Sequence, residues 1–177
     1  MFTFKYCKKI SFNHGFTIIE ALVAITILLI GVLGPMAAAT RGITDGLYAG
    51  NELVATYLAQ EGIELVLAKV KFNLENGGDW LNDLSNCLAP NNCSVDVASN
   101  SFNSCVDSGC DLRYNLSNNL YTVNGLDGPV FNRRIQIIKS TGLMDNREVK
   151  IETTINWSNK SIPRSLKLSD YIYDYNK

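Results

Sequence analysis

The sequence predicts an α+β fold: a long N-terminal helix packed on a small antiparallel sheet, with a cysteine-bearing loop region between them. Three observations point to it. Residues 21–39 form a run of 19 without a charge, about 28 Å of helix at ~1.5 Å per residue. Four cysteines, Cys87, Cys93, Cys105 and Cys110, fall in a stretch rich in Asn, Ser, Asp and Gly, the composition of turns. The last third alternates apolar and polar residues with the period of a strand. At 177 residues the chain has room for one modest domain and an appendage.

The N-terminal helix divides by environment. The charge-free run 21–39 nearly matches a hydrocarbon core of roughly 30 Å, which predicts one membrane span within residues 16–40. Lys5, Lys8 and Lys9 precede it and few charges follow closely. The N-terminus is therefore expected in the cytoplasm and the rest of the chain outside it. Glu20 is the anomaly: a carboxylate at a helix centre costs about 2.5–3.5 kcal/mol to insert, less towards the end. It either snorkels to the headgroups or answers a partner. Over residues 41–74 the helix is expected to leave the membrane. There Leu47, Val54, Leu58, Leu65 and Phe72 recur at spacings of seven and four, with Asn51, Glu61 and Ala68 between them. This predicts the buried face, with Glu52 and Glu64 opposite. Gly34-Pro35 removes a backbone donor and crowds the preceding turn, predicting a kink or local melting near residues 31–35. Gly31, Gly42, Gly46 and Gly50 also suit close helix packing.

Residues 75–128 read as loop, with Trp80, Leu81 and Leu84 as anchors. An even set of four cysteines in an exported segment predicts two disulfides, with three possible connectivities. A zinc site is the competing reading, but no Cys-x-x-Cys occurs and His14 is the sole histidine. Residues 129–177 are assigned to the sheet, with strands at 129–140, 147–158 and 164–174 and a short one before them at 120–125. In the second of the three, Val149, Ile151, Thr153, Ile155 and Trp157 face one side, and Lys150, Glu152, Thr154 and Asn156 the other. Short connections, "STGLMDN" and "SNKS", favour an antiparallel meander laid on the exposed half of the helix.

Several functions find little support. Past residue 15 there is no histidine, no nucleophile elbow and no phosphate cradle, so no catalytic residues are expected. "NGGD" and "NGLDG" lack the spacing of an EF-hand. Calcium at Asp79, Asp83 or Asp127 is weighed against solvated turn residues, and neither a metal nor a cofactor is expected. Beyond residue 15 the chain has 13 Lys+Arg against 17 Asp+Glu, net −4. A counterion-release mechanism for nucleic acid wants the opposite sign. Arg133 and Arg134 are neighbours on a strand and so point to opposite faces, one of them covering the sheet or pairing with an acid. Tyr171, Tyr173 and Tyr175 share a face and suit either an adhesive stripe or packing along a sheet edge.

The stretch Gly15-Phe16-Thr17-Ile18-Ile19-Glu20 resembles the N-terminal signature of type IV pilins and of type II secretion pseudopilins. The resemblance is specific over residues 14–40, weaker to about 70, and silent on the rest. It implies a leader, residues 1–15, that holds Cys7 and His14 and is removed by a prepilin peptidase cutting between Gly15 and Phe16. It implies N-methylation of Phe16, and a structural rather than enzymatic role. Glu20 would then answer the new α-amino group of a neighbouring subunit and set register in a helical filament. A proline in this part of the helix, by role Pro35, would be linked to melting during assembly. The expected partners are other pilin subunits, the prepilin peptidase, an inner-membrane assembly platform and membrane lipid. The chain looks most like a minor pilin of a cell-surface filament, with a secretion or competence pseudopilin as the alternative. A different class also fits: Ala37-x-Ala39 suits an ordinary signal peptide cut after Ala39, which would leave a secreted or anchored disulfide-linked binding module.

Overall fold

The computed structural model describes residues 15–123, 125–140, 147–159 and 161–174. Cys7, His14 and Tyr175 lie outside them, as do the leader up to residue 14 and most of the "STGLMDN" connection. One α-helix, α1 (Ile18–Glu75), is followed by seven strands. They are β1 (Cys93–Asp96), β2 (Ser101–Ser104), β3 (Asp111–Asn115), β4 (Leu120–Thr122), β5 (Asp127–Lys139), β6 (Glu148–Asn159) and β7 (Ile162–Tyr173). The fold is α+β and pilin-like: an N-terminal helix packed on an antiparallel sheet, with disulfides between helix and sheet. The chain divides into two compact units at Gly46 and Leu47.

In the first unit, the described part of α1 is apolar and almost wholly exposed. It contains the one described helix long and apolar enough to cross a membrane. Three of its threonine hydroxyls are satisfied locally. The hydroxyls of Thr26, Thr40 and Thr44 donate to the carbonyls of Val23, Met36 and Thr40 at 2.8, 2.9 and 2.9 Å. A helix in hydrocarbon requires this, because no water is there to take the bond. Helix α1 runs through Pro35 unbroken, without the local melting expected near residues 31–35, since the proline removes a single backbone hydrogen bond.

The second unit is built around β5. One edge of β5 pairs with β6 from Phe131↔Trp157 to Lys139↔Val149, and β6 pairs with β7 along its whole length. The other edge is shared: β3 takes its start, at Phe131 and Asn132, and β1 touches it at Ile135. Four short strands therefore extend the sheet into residues 75–128; β4 falls within the strand expected at 120–125, and β1 to β3 lie in sequence read from composition as loop. The expected inward face of β6 is buried, from Val149 through Trp157. At about 25 cal/mol per Å² of apolar area, such alternation alone fixes which side meets the helix.

The helix meets the sheet through a different stripe from the one its large residues predict. Ala55, Leu58, Ala59, Gly62, Ile63, Val66 and Val70 are buried, whereas Leu47 and Phe72 are 56 and 57% exposed and Val54 and Leu65 only half-buried. The physical reason is distance. A Cβ built on Gly62 would lie 3.1 Å from Ile135 Cδ1 and 3.4 Å from Thr153 Cγ2, so the backbone rests almost directly on β5 and β6. Only small residues permit that approach, and burial follows proximity rather than side-chain size.

After the helix, Asn73 organises the turn: its amide donates to the carbonyls of Trp80 and Asn82 at 3.1 and 2.8 Å. That places Trp80, Leu81 and Leu84 in the core, as their anchoring role requires. The cysteines pair with their nearest neighbours, Cys87–Cys93 and Cys105–Cys110. Each bridge closes a short polar segment that has little apolar surface of its own.

Candidate functional site

The candidate site is the start of α1. Thr17 precedes the first helical residue, and its Oγ1 accepts the backbone N–H of Glu20 at 3.2 Å. This is an N-cap: a side-chain oxygen takes one of the orphan donors of the first turn. Thr17-Ile18-Ile19-Glu20 also fits the Thr-x-x-Glu form of a capping box, a local signal that fixes where the helix starts. Read only as part of a processing signature, the threonine's structural role goes unnoticed. Glu20 sits in the first turn, where the helix dipole favours a negative charge. It is exposed, and among the described residues no cation pairs with it. Phe16 is 75% exposed and lies outside the helix, so the Gly15–Phe16 bond is in accessible, non-helical chain. Chemically this end offers an accessible peptide bond, a capped helix and an exposed carboxylate in the first turn.

The second unit holds a different charged group, buried and held by both terminal nitrogens, with its Nε left without a partner among the described residues. Arg133 is 0% exposed. It donates to the Glu61 carboxylate at 2.6 Å, to the Leu58 carbonyl at 3.1 Å and to the Val95 carbonyl at 2.6 Å. Burial pulls the guanidinium pKa down, and the Glu61 carboxylate opposes that shift. Arg133 thus joins α1, β5 and β1 at one point, while Arg134 on the opposite face hydrogen-bonds Asn132 at 3.0 Å. On that outer face Lys167 and Lys150 bind Glu152 at 2.6 and 2.9 Å and hold its carboxyl below the usual range.

The aspartates weighed for calcium do not converge. Asp83 binds Lys69 at 2.8 Å, Asp79 accepts the Leu81 N–H at 3.2 Å, and Asp127 pairs with Tyr114 in the sheet. Among the described residues, no group of three His, Cys, Asp or Glu side chains is placed to hold a metal ion. Tyr171 and Tyr173 are exposed on the outer face of β7.

Residues 10–34 match a family model described as the prokaryotic N-terminal methylation motif. No curated protein and no solved structure matches the chain. The chain therefore carries the type IV pilin-like prepilin signature, and its N-terminal helix and sheet fit the structural, membrane-anchored subunits that bear this signature.

Proposed function

We propose that this chain is a minor pilin, a structural subunit of a type IV pilus-like filament. A prepilin peptidase cuts between Gly15 and Phe16, the new N-terminus is methylated, and residues 16–40 hold the subunit in the inner membrane. The N-terminus faces the cytoplasm and the second unit is exported. The subunit then leaves the bilayer through an assembly platform and stacks with other pilins.

The observation that carries this reading is Glu20, an exposed carboxylate without a cation among the described residues, inside a matched methylation motif. Cleavage creates an α-amino group on Phe16; such groups ordinarily titrate at about pH 7.7–8.0, and methylation need not remove the charge. In an apolar bundle either charge alone is expensive, and together they compensate. Because the pair forms between copies, it sets axial register, as a buried polar residue does in a coiled coil. Thr17 supports the pairing by fixing the first helical turn and with it the position of Glu20. Gly34 and Pro35 are the weak point of the helix: Pro35 lacks the N–H that would bond the Gly31 carbonyl, so melting there costs less than elsewhere. The outward Leu53 and Tyr57, both exposed, supply apolar surface for neighbouring subunits.

Mass spectrometry of the processed chain tests the first step. The expected N-terminal peptide begins with N-methylated Phe16. A chain beginning at Thr40 would instead mean an ordinary signal peptide and a released head. Glu20→Ala tests the second step: membrane insertion should persist while incorporation into filaments is lost, and normal incorporation would refute the pairing.

A further inference from the structure

We infer that one rim of the second unit, formed by Leu116, Leu120, Leu126 and Ile162, rests on the surface of the lipid bilayer before assembly. The inference depends on the membrane anchorage proposed above.

The sheet register brings these residues to one end. Leu116 and Leu120 bracket the tip of the β3–β4 hairpin, where Asn115 pairs with Leu120. Leu126 directly precedes Asp127, which pairs with Tyr114 on β3. Phe131 aligns with Trp157 and Trp157 with Arg164, so the start of β5 lies level with the β6–β7 turn, where Ile162 pairs with Asn159. Leu126 is 84% exposed and Leu116 68%, with Leu120, Val123 and Ile162 less so. Among the described residues from β1 to β7, the other exposed large aliphatic side chain is Val106, just ahead of the short helical turn before β3. Exposed apolar residues gathered at one end, rather than scattered, mark a contact surface.

The occupant follows from the chain. Arg164 lies 5.6 Å above the Tyr48 ring, so the first turn of α1 in this unit is at the same end as the rim. The charge-free segment ends at residue 40, and residues 41–46 are all that separate the proposed span from Leu47. Six residues reach about 9 Å as helix and about 20 Å fully extended. Whatever the arrangement of the two units, this end is tethered within that distance of the headgroups, and the opposite end is not. Arg113 and Arg164 are exposed beside the rim and suit anionic headgroups; the acids among them are the partly buried Asp127 and the exposed Glu52, which shares a pocket with Tyr48 and Arg164.

The test uses the full chain in vesicles of phosphatidylethanolamine and phosphatidylglycerol, with and without brominated phospholipid, and reads tryptophan quenching. Trp80 and Trp157 are buried and give the baseline. Leu126→Trp and, independently, Leu116→Trp should be quenched several-fold more than Val106→Trp, and Leu28→Trp more strongly still. Rim tryptophans quenched no more than Val106→Trp, in a chain where Leu28→Trp is quenched, would overturn the proposal. Should they instead become shielded from aqueous iodide only as protein density rises, the rim belongs to a neighbouring subunit, and the proposal is equally overturned. An unquenched Leu28→Trp would remove the anchorage itself and the proposal with it.

Discussion

Replacing Glu61 by glutamine should destabilise the second unit more than replacing its buried partner, and removing both should cost less than removing Glu61 alone. The reasoning begins from unequal burial. Arg133 is fully buried and makes three hydrogen bonds, at 2.6, 2.6 and 3.1 Å, whereas the Glu61 side chain is 35% exposed. In Glu61→Gln the cation stays in place without its countercharge. Breaking a buried pair in this way costs about 3–5 kcal/mol, less here because the site is partly open to water, so about 2–4 kcal/mol is expected. In Arg133→Met an unbranched apolar chain fills most of the volume and the freed carboxylate turns to solvent. What remains is an unsatisfied Val95 carbonyl, about 1–3 kcal/mol. The double variant should match Arg133→Met, because no buried charge is left to compensate. Urea denaturation of the full chain in detergent, followed by the fluorescence of Trp80 and Trp157, measures all four proteins. Costs that simply add, within about 0.5 kcal/mol, would refute the argument, since non-additivity is the signature of a coupled pair.

The remaining predictions concern packing, pH and the bridges. Gly62→Ala should be destabilising by about 1 kcal/mol, because overpacking against Ile135 outweighs the helix-propensity gain. The same change at Gly50, where a Cβ meets nothing within 4 Å, should stabilise; thermal denaturation of both variants reads the opposite signs. Glu152, its pKa lowered by Lys167 and Lys150, contributes stability above the unfolded carboxyl pKa and loses it as pH falls through the folded one. Glu152→Gln should therefore flatten the fall in denaturation midpoint below about pH 4.3. Reducing Cys87–Cys93 or Cys105–Cys110, which span separations of only 6 and 5, should each cost about 2 kcal/mol by loop-closure entropy, read by urea denaturation with and without reductant.

How far the sequence could be read depended on how much each segment decides locally. The long strands were legible because alternation from Val149 to Trp157 runs over enough residues to leave one register. The short strand at 120–125 was legible as β4, but the three strands from β1 to β3 were not: they are four or five residues long and built partly from Ser, Asn and Asp. Their pairing to β5 and the adjacent bridges hold them, and neither is a local property. The cysteines announced two disulfides without choosing among connectivities. At the N-terminus, Gly15, Phe16 and Glu20 stood out because a charge in an apolar run has few bland explanations, while Thr17 was legible as a cap and passed unnoticed.

The helix face is the more instructive discrepancy. Weighing residues by size picks Leu47, Val54, Leu58, Leu65 and Phe72, yet only Leu58 of these is buried. Large apolar residues mark where a helix needs cover, and this helix leaves several of them uncovered within its own subunit. The sheet instead takes the small stripe of Ala55, Ala59 and Gly62, where the backbone can approach and Arg133 can reach the Leu58 carbonyl. A soluble single-domain protein would gain by turning Leu53, Tyr57 and Phe72 inward, at about 1.5–3 kcal/mol for each side chain buried. Their exposure is economical only if another surface covers them later. The same logic applies to Glu20: on the proposed reading, an apolar excess along the helix and a carboxylate without a cation among the described residues both suit a chain that neighbouring copies complete.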